Sequence, residues 1–491
     1  MLLRQIFDPG LSQYAYLIGC QTAGEALVVD PQRDVERYLA LAEAEGLTLV
    51  AAVETHIHAD FLSGARELAV RTGLRVYLSG EGGADWSYRW PRGPDDDAPA
   101  PTLLHDGDRF SVGEVELRAM HTPGHTPEHL CFVVTDRGAG ASTPIGLLSG
   151  DFLLVGDLGR PDLLDKAAGA AGSREESARE LFASLRRLEG LADHLQVWPA
   201  HGAGSSCGKA IGAVPTSTIG YERLHNAALS RAAAGEGEFI QAILEEQPTP
   251  PTYFGRMKRD NRDGPPLLRR LPRPRCLEAD DLGPIARHGE TIVIDTRADR
   301  SAFMAAHLPD ALHAPADRSF SAAVGSLVTE PTRAIVLVVE EGSLEEVLRS
   351  LVRIGYDRVV AYCVPSTLVE YFRGGGEKGT IPSMNFTEVR ALAADPATQV
   401  VDVRDDFEFA RGHVAGAVNA PYTRLPEYLA ERIPTDRRLI VHCESGARSA
   451  VAAAWLATHR RDVVYVDDDW SEWERLGGRV VSGEDDSPPP V

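Results

Sequence analysis

The sequence predicts a multidomain α/β protein: an N-terminal α/β sandwich with mixed sheets, then two smaller α/β domains related to each other. Three observations predict it. The chain has 491 residues, too many for one hydrophobic core and enough for roughly two to four domains. Residues 1–240 alternate short β-rich runs with helical ones, and the β-rich runs come both singly and in adjacent pairs. Beyond about residue 273 the chain repeats itself.

In the first region AYLIG, ALVVD, LTLVAAVET, LRVYL, VELRAM and LCFVV read as strands. RDVERYLALAEAEG and ARELAVRTG read as helices, the second ended by Gly73. Adjacent strand pairs favour mixed sheets over a purely parallel, doubly wound one. The stretch EEQPTPPTYFGRMKRDNRDGPPLLRRLPRPR is rich in Pro, Arg and Gly and lacks sustained periodicity, so 241–272 reads as a linker. Two segments then match. In 292-IVIDTRADRSAFMAAHLPDALHAP-315 and 400-VVDVRDDFEFARGHVAGAVNAP-421 an apolar strand is followed by Asp-x-Arg, Phe, His, a small-residue turn and Ala-Pro. These place related domains at 273–375 and 383–482, joined through GGGEKGTIPS, with 483–491 as a disordered tail.

Composition narrows the function. The net charge of −22 repels nucleic acid and anionic membranes, so neither is an expected partner. The start MLLRQIFDPG makes a poor signal peptide, and no apolar run is long enough to span a bilayer. Six cysteines, Cys20, Cys131, Cys207, Cys276, Cys363 and Cys443, are scattered with no C-x-x-C pair. That argues for a cytoplasmic chain without a disulfide framework, each cysteine being by default a small buried hydrophobe.

Candidate metal ligands gather where apolar runs end. His56, His58 and Asp60 follow one run, and His121, His125 and His129 another. Asp151, Asp157 and His201 close two more. Four such strand ends would bring their loops to one sheet edge. The motifs THIHAD, HTPGHT, SGDFLL and PAHG resemble the metallo-β-lactamase fold in its glyoxalase-II-like branch. The resemblance covers about the first 230 residues and implies an αββα sandwich with metal between the sheets. Binuclear members carry a histidine where this chain has Phe61, and a phenyl ring cannot ligate. Two histidines and a carboxylate remain, the facial set of non-haem iron enzymes with open positions. In the persulfide dioxygenase branch, which GDLGRPDLL also resembles, the ligands match His56, His125 and Asp151. The resemblance then implies mononuclear Fe(II), with His58, Asp60 and His201 orienting ligands by hydrogen bonds. Arg160 is read either as binding the carboxylate of a thiol such as glutathione or as a structural salt-bridge partner. Cys207 is read either as core or as a thiol near the metal that relays sulfur, its pKa lowered by Lys209.

The second site is in the last domain. RRLIVHCESGARSAVAAAWLATH reads as strand, loop and helix, with Cys443 ending the strand and a helix from about Ser449. Loop amides and the helix N-terminus favour a thiolate there. Glu444, Ser445, Gly446 and Ala447 form the loop, Gly446 allows it to curl, and Arg448 closes the ring or binds an anion. With VVDVRDDFEFARGHVAGAVNAP upstream, the domain resembles a rhodanese. The equivalent strand of the middle domain reads AIVLVVEEGSLEEVL and puts Val338 or Val339 at the cysteine position, so that domain is expected to be inactive. Cys363 is expected to be core.

Together the resemblances imply a persulfide dioxygenase–rhodanese fusion. A small-molecule persulfide and O₂ would give thiol and sulfite, and a Cys443 persulfide would pass its outer sulfur to sulfite to form thiosulfate. The rival is a zinc-dependent thioester hydrolase of the glyoxalase II type joined to a sulfurtransferase. The sequence leaves open whether glutathione, coenzyme A or another thiol carries the persulfide, and whether the chain forms a homo-oligomer.

Overall fold

A computed structural model describes residues 1–90, 98–163, 173–288, 291–459 and 461–483. The chain divides into two compact units, Met1–Arg270 with Val352–Gly355, and Leu271–Leu351 with Tyr356–Val491. The tail expected to be disordered lies, from residue 484, outside the described residues.

The first unit is a four-layer sandwich. Its first sheet runs in chain order: β1 (Leu2–Asp8), β2 (Gln13–Cys20), β3 (Glu25–Val29), β4 (Thr48–Val53), β5 (Arg75–Ser79) and β6 (Thr102–Leu104). The second contains β7 (Arg109–Val112), β8 (Val115–His121), β9 (Leu130–Asp136), β10 (Gly146–Gly150), β13 (Gln196–Pro199) and β14 (Ser217–Thr218); between β10 and β13, β11 (Leu153–Leu154) and β12 (Asp157–Leu158) make a separate ribbon. Both sheets are mixed: β1–β2–β3 pair antiparallel and β3–β4–β5–β6 parallel, while β10–β13 is the parallel pair of the second. Alternation in β2 shows how the layers form. Tyr16 and Ile18 face Phe132, Leu148 and Trp198 between the sheets, whereas Ala15 and Leu17 face Tyr38 and Leu68 on the covering helices Glu36–Ala44 and Ala65–Thr72. On the far side Val133, Leu147 and Val197 meet Leu181, Phe239 and Ile243. This is the αββα architecture.

The expected linker needs correcting. Residues 241–270 belong to the first unit, and Phe254–Asp263 is a helix that buries Phe254, Met257 and Asn261. Only two apolar side chains mark that face, too few to raise a periodic signal among Arg, Lys and Asp.

The second unit holds two five-stranded parallel sheets of the same order. One is Arg275–Cys276, Val359–Cys363, Ala334–Val338, Thr291–Asp295 and Leu312–His313; the other is Ser383–Met384, Val463–Val466, Arg438–His442, Thr398–Asp402 and Val418–Asn419. Cys276 corrects the expectation that every cysteine is buried, since it lies exposed on an edge strand. All six thiols are free.

Candidate active site

Topology brings the metal-ligand candidates together. Parallel β10 and β13 end side by side, so Asp151 and His201 leave the sheet as neighbours. Parallel β3 and β4 likewise end together at Val29 and Val53, which sets Asp30 beside Glu54 just ahead of Thr55 and His56. The loop Thr122–His129 hangs from the end of β8.

His56, His125 and Asp151 converge, all buried, with one donor atom of each within 4.8 Å of the others. His125 Nε2 lies 3.4 Å and His56 Nε2 3.9 Å from Asp151 Oδ2. That oxygen is buried and has no hydrogen-bond partner among the described residues. Its twin Oδ1 accepts from His201 Nδ1 at 2.7 Å. The tautomers follow from the neighbours. His125 Nδ1 faces the carbonyl of Arg160 at 3.0 Å and must donate, leaving a lone pair on Nε2. Thr55 Oγ1 donates to Asp30 Oδ2 at 2.9 Å and therefore accepts from His56 Nδ1 at 2.9 Å, with the same result. Two Nε2 lone pairs and an unpaired carboxylate oxygen aimed at one point are a cation site by their chemistry.

Electrostatics agree. Burial, with the fields of His58 and His125, holds His56 well below the usual imidazole value and so neutral. Burial also lowers His125 despite Asp151. For Asp151 burial opposes ionisation, but the His201 field and hydrogen bond outweigh it and hold the carboxyl well below its usual range. Close glycines shape the pocket: a Cβ on Gly159 would stand 1.9 Å from the Asp151 carbonyl oxygen, so GDLGR requires glycine there.

The comparisons agree with this geometry. Residues 8–201 match the metallo-β-lactamase superfamily, and residues 385–476 match the rhodanese-like domain. A crystal structure titled metallo-beta-lactamase, from Staphylococcus aureus, is 37% identical at a TM-score of 0.64, covering 74% of this chain and 99% of its own. The chain belongs to the metallo-β-lactamase superfamily. Within that superfamily its N-terminal region is homologous to persulfide dioxygenases. The mitochondrial persulfide dioxygenase ETHE1 of Bos taurus is 31% identical over 209 residues, which is 41% of this chain and 68% of that protein. The human protein is 29% identical over 204 residues, 41% of this chain and 68% of its own. In family terms the chain joins a persulfide dioxygenase-like region to a rhodanese-like domain.

Around His56, His125 and Asp151, His201 bridges Asp151 and Asp60, with Nε2 3.0 Å from Asp60 Oδ2. Burial works against its charge, but the two carboxylates raise its pKa well above the ordinary value. His58 turns away from the centre toward Asp30 and Glu54, at 3.2 and 3.1 Å. Although burial opposes it, these carboxylates raise His58 to about 10. Phe61 is buried with its ring 4.4 Å from that of His58. His129 accepts from the Asp151 amide at 3.0 Å and supports it from behind. Asp157 lies outside the centre, accepting from the amides of Leu158, Lys209 and Ala210.

Arg160 and Cys207 each carry two readings from the sequence. Arg160 is fully buried, forked onto Asp162 at 2.6 and 2.7 Å and bonded to the carbonyls of Ser206 and Pro248. Its Nε, Nη1 and Nη2 all donate within the fold, the geometry of a structural salt-bridge partner. Cys207 does lie with Asp60 and His201, but Lys209 points elsewhere, to the carbonyls of Ala242 and Glu245. Burial pushes the Cys207 thiol up to about 12.

Sequence reasoning missed four supports. Asp30 holds Thr55 through its amide and hydroxyl, and Glu54 pairs with His58. Glu128 accepts from the amide of Ile57 at 2.6 Å, fixing the turn between the two histidines. Asn261 donates to the carbonyls of His58 and Phe61 and accepts from the Ser63 amide. Asp30 and Glu54 carried a visible signal, because each ends a strand beside a motif.

In the rhodanese-like domain Cys443 is buried at the end of its strand. The helix begins at Ala447, two residues earlier than expected, and Gly446 precedes it at φ +85°. The Ser449 amide donates to Cys443 Sγ at 3.4 Å. Arg448 makes a fork onto Glu408 at 2.6 and 2.8 Å, so its guanidinium is committed to the loop's own framework.

Proposed function

We propose that this chain oxidises a low-molecular-weight thiol persulfide with O₂ to thiol and sulfite at a mononuclear Fe(II) centre, and that Cys443 transfers sulfur to sulfite to give thiosulfate. The observation that carries the reading is the three-ligand set His56, His125 and Asp151, with Phe61 where a second-metal ligand would be. Fe(II) held by those three residues would supply the capacity to activate O₂ toward the persulfide sulfur.

The remaining chemistry belongs to the chain. Thr55 and the Arg160 carbonyl hold the Nδ1 protons, keeping both Nε2 atoms free for ligation. His201 keeps its protons on Nδ1 and Nε2 between two carboxylates, which orients Asp151 Oδ2 toward the histidines. The buried Phe61 excludes water from one side. At the second site a persulfide sulfur on Cys443 would sit in the Glu444–Ala447 loop at the helix N-terminus, where Ser449 N–H supports the anion. The Cys443 thiolate takes the outer sulfur of a thiol persulfide, whose S–S bond breaks to release the thiol. Sulfite attacks that outer sulfur with its lone pair, the new S–S bond breaks, and the electron pair returns to the Cys443 thiolate as thiosulfate leaves.

Metal analysis with O₂ uptake and product chromatography on glutathione and coenzyme A persulfides tests the reading. The expected result is about one iron per chain, the stoichiometry of a three-ligand site. His125→Ala and Asp151→Ala should lose both iron and O₂ uptake. Zinc in the active protein without O₂ consumption would overturn it in favour of the thioester hydrolase.

A further inference from the structure

The domain without a nucleophile places a cation at the active loop. Arg300 opens its helix Arg300–Ala305, and its guanidinium reaches Asp467 in the rhodanese-like domain, Nε at 3.0 Å and Nη2 at 2.9 Å from Oδ1. Tyr465 donates to the same oxygen at 2.7 Å. These three groups stand directly over the middle of the Cys443–Arg448 loop. A Cβ built on Gly446 would meet Tyr465 Oη at 3.0 Å, Arg300 Nη2 at 3.1 Å and Asp467 Oδ1 at 3.1 Å. A buried hydrogen bond from Trp455 Nε1 to the Leu327 carbonyl, 3.0 Å, holds the two copies together.

The loop's own cations are spent. Arg448 is forked onto Glu408 and lies 3.7 Å from Asp405, and Arg404 is shared between Asp402 and Glu444. Arg300 differs. Its side chain is 35% exposed, its one acidic partner takes Nε and Nη2 on a single oxygen, and its Nη1 has no partner among the described residues. Beside Gly446 of the loop, Arg300 thus offers a donor that no carboxylate takes among the described residues.

We propose that Arg300 forms an oxyanion-binding site at the mouth of the Cys443 loop, which orients a sulfonate-like group, that of sulfite or thiosulfate, toward the sulfur. It is a positioning residue, and the domain that lacks a cysteine supplies it. The sulfite assignment rests on the transfer role proposed for Cys443, whereas the anion site does not.

Alkylation of Cys443 separates the two. In the full-length chain the rate at Cys443 is followed by peptide mass spectrometry with iodoacetate, an anion, and with iodoacetamide, its neutral counterpart; in both the thiolate forms an S–C bond and iodide leaves. Arg300→Gln is expected to slow iodoacetate by about 5–10-fold, the scale of one exposed charge contact, with iodoacetamide unchanged. Arg300→Lys should restore most of the difference. In the transfer assay Arg300→Gln should raise the KM for sulfite by a similar factor and leave kcat in place. The unchanged iodoacetamide rate reports an intact loop. An iodoacetate-to-iodoacetamide ratio that does not move in Arg300→Gln overturns the proposal. A ratio that falls as expected in a chain unable to make thiosulfate keeps the anion site and overturns the transfer reading instead.

Discussion

Asp295 with Arg297 in one copy of the second unit, and Asp402 with Arg404 in the other, make the same ion pair, closed by Nη2–Oδ2 bonds of 2.6 and 2.7 Å. Phe303 stacks on His307 as Phe409 stacks on His413, with each histidine Nδ1 bonded to the phenylalanine carbonyl. The copies part at the loop. Strand pairing sets Asp295 opposite Val338 and Asp402 opposite His442, which resolves the cysteine's counterpart as Val339. Counting on, Gly342 stands for Gly446 and Leu344 for Arg448. Aligned on the Phe–His pairs, Ala302 stands for Glu408. The first copy thus lacks nucleophile, arginine and arginine's carboxylate together, while keeping the Asp–Arg and Phe–His pairs. The framework pairs recur in both copies, whereas the arginine–glutamate pair occurs only in the copy that carries Cys443.

The sharpest way to break that distinction is to move the nucleophile. Cys443→Ser should lower thiosulfate formation by about 10⁴-fold, the scale expected for a lost covalent nucleophile, with O₂ uptake retained. Adding Val339→Cys to that variant should recover none of it, because Leu344 and Ala302 build no cradle. Thiosulfate chromatography decides, and recovery would show that the loop's charged pair is dispensable.

A second test asks whether the framework is equal in the two copies. Asp295 and Asp402 are both fully buried. Asp295→Asn takes from Arg297 its carboxylate partner, a loss of about 3–5 kcal/mol, whereas after Asp402→Asn Arg404 still has Glu444 at 3.4 Å. Arg404 is the more buried arginine, 4% exposed against 15% for Arg297, but it alone keeps a carboxylate, so the first copy should lose more. Hydrogen exchange of peptides from each sheet resolves the two effects.

The same separation explains what the sequence disclosed. The cluster of His and Asp candidates was legible because strand ends followed by His or Asp are local patterns, and parallel pairing of β10 with β13 brings two such ends together; the choice of His56, His125 and Asp151 among them came from the family resemblance. The repeat was legible because Asp-x-Arg, Phe and His are framework residues spaced alike in both copies. Partnership was not legible. Arg160 reads equally as a carboxylate binder or a salt-bridge partner until its bonds to Asp162 are seen, and Lys209 reads as a neighbour of Cys207 until its amine is seen to turn to two carbonyls. Arg448 reads as open to anions, though Glu408 is distant by 40 residues in the chain. Long-range ion pairing carries no periodicity, so only the fold reveals it.

The pair Arg448–Glu408 sharpens the comparison through pH. Burial opposes ionisation of Glu408, but the Arg448 hydrogen bonds prevail and lower its pKa. A carboxylate with a lowered folded value contributes fully above its unfolded value of about 4.3 and loses the contribution as pH falls through the folded one. Glu408→Gln should therefore cost the loop about 1–3 kcal/mol near neutrality, read as slower transfer. The gap to wild type should narrow as pH drops below about 4, where wild type protonates too. Ala302→Glu in the first copy should show no such dependence. A gap constant with pH would sink the assignment of the pair to the loop.

The smallest expected difference is between two glycines at the same place in the loop. Gly446 holds φ +85° and would press a Cβ against Tyr465, Arg300 and Asp467 at 3.0–3.1 Å. Gly446→Ala should cost about 1–2 kcal/mol, the penalty of a left-handed backbone for a residue with a side chain. It should also slow iodoacetamide at Cys443, because the loop must open to admit the methyl group. Gly342 is not among the positive-φ residues, and a Cβ there meets nothing within 4 Å. Gly342→Ala should therefore be neutral or slightly stabilising, by up to about 1 kcal/mol through the unfolded chain. Equal effects at the two positions would mean that the curl of the loop serves the fold in both copies; a loss confined to Gly446 ties the left-handed turn to the cysteine it wraps.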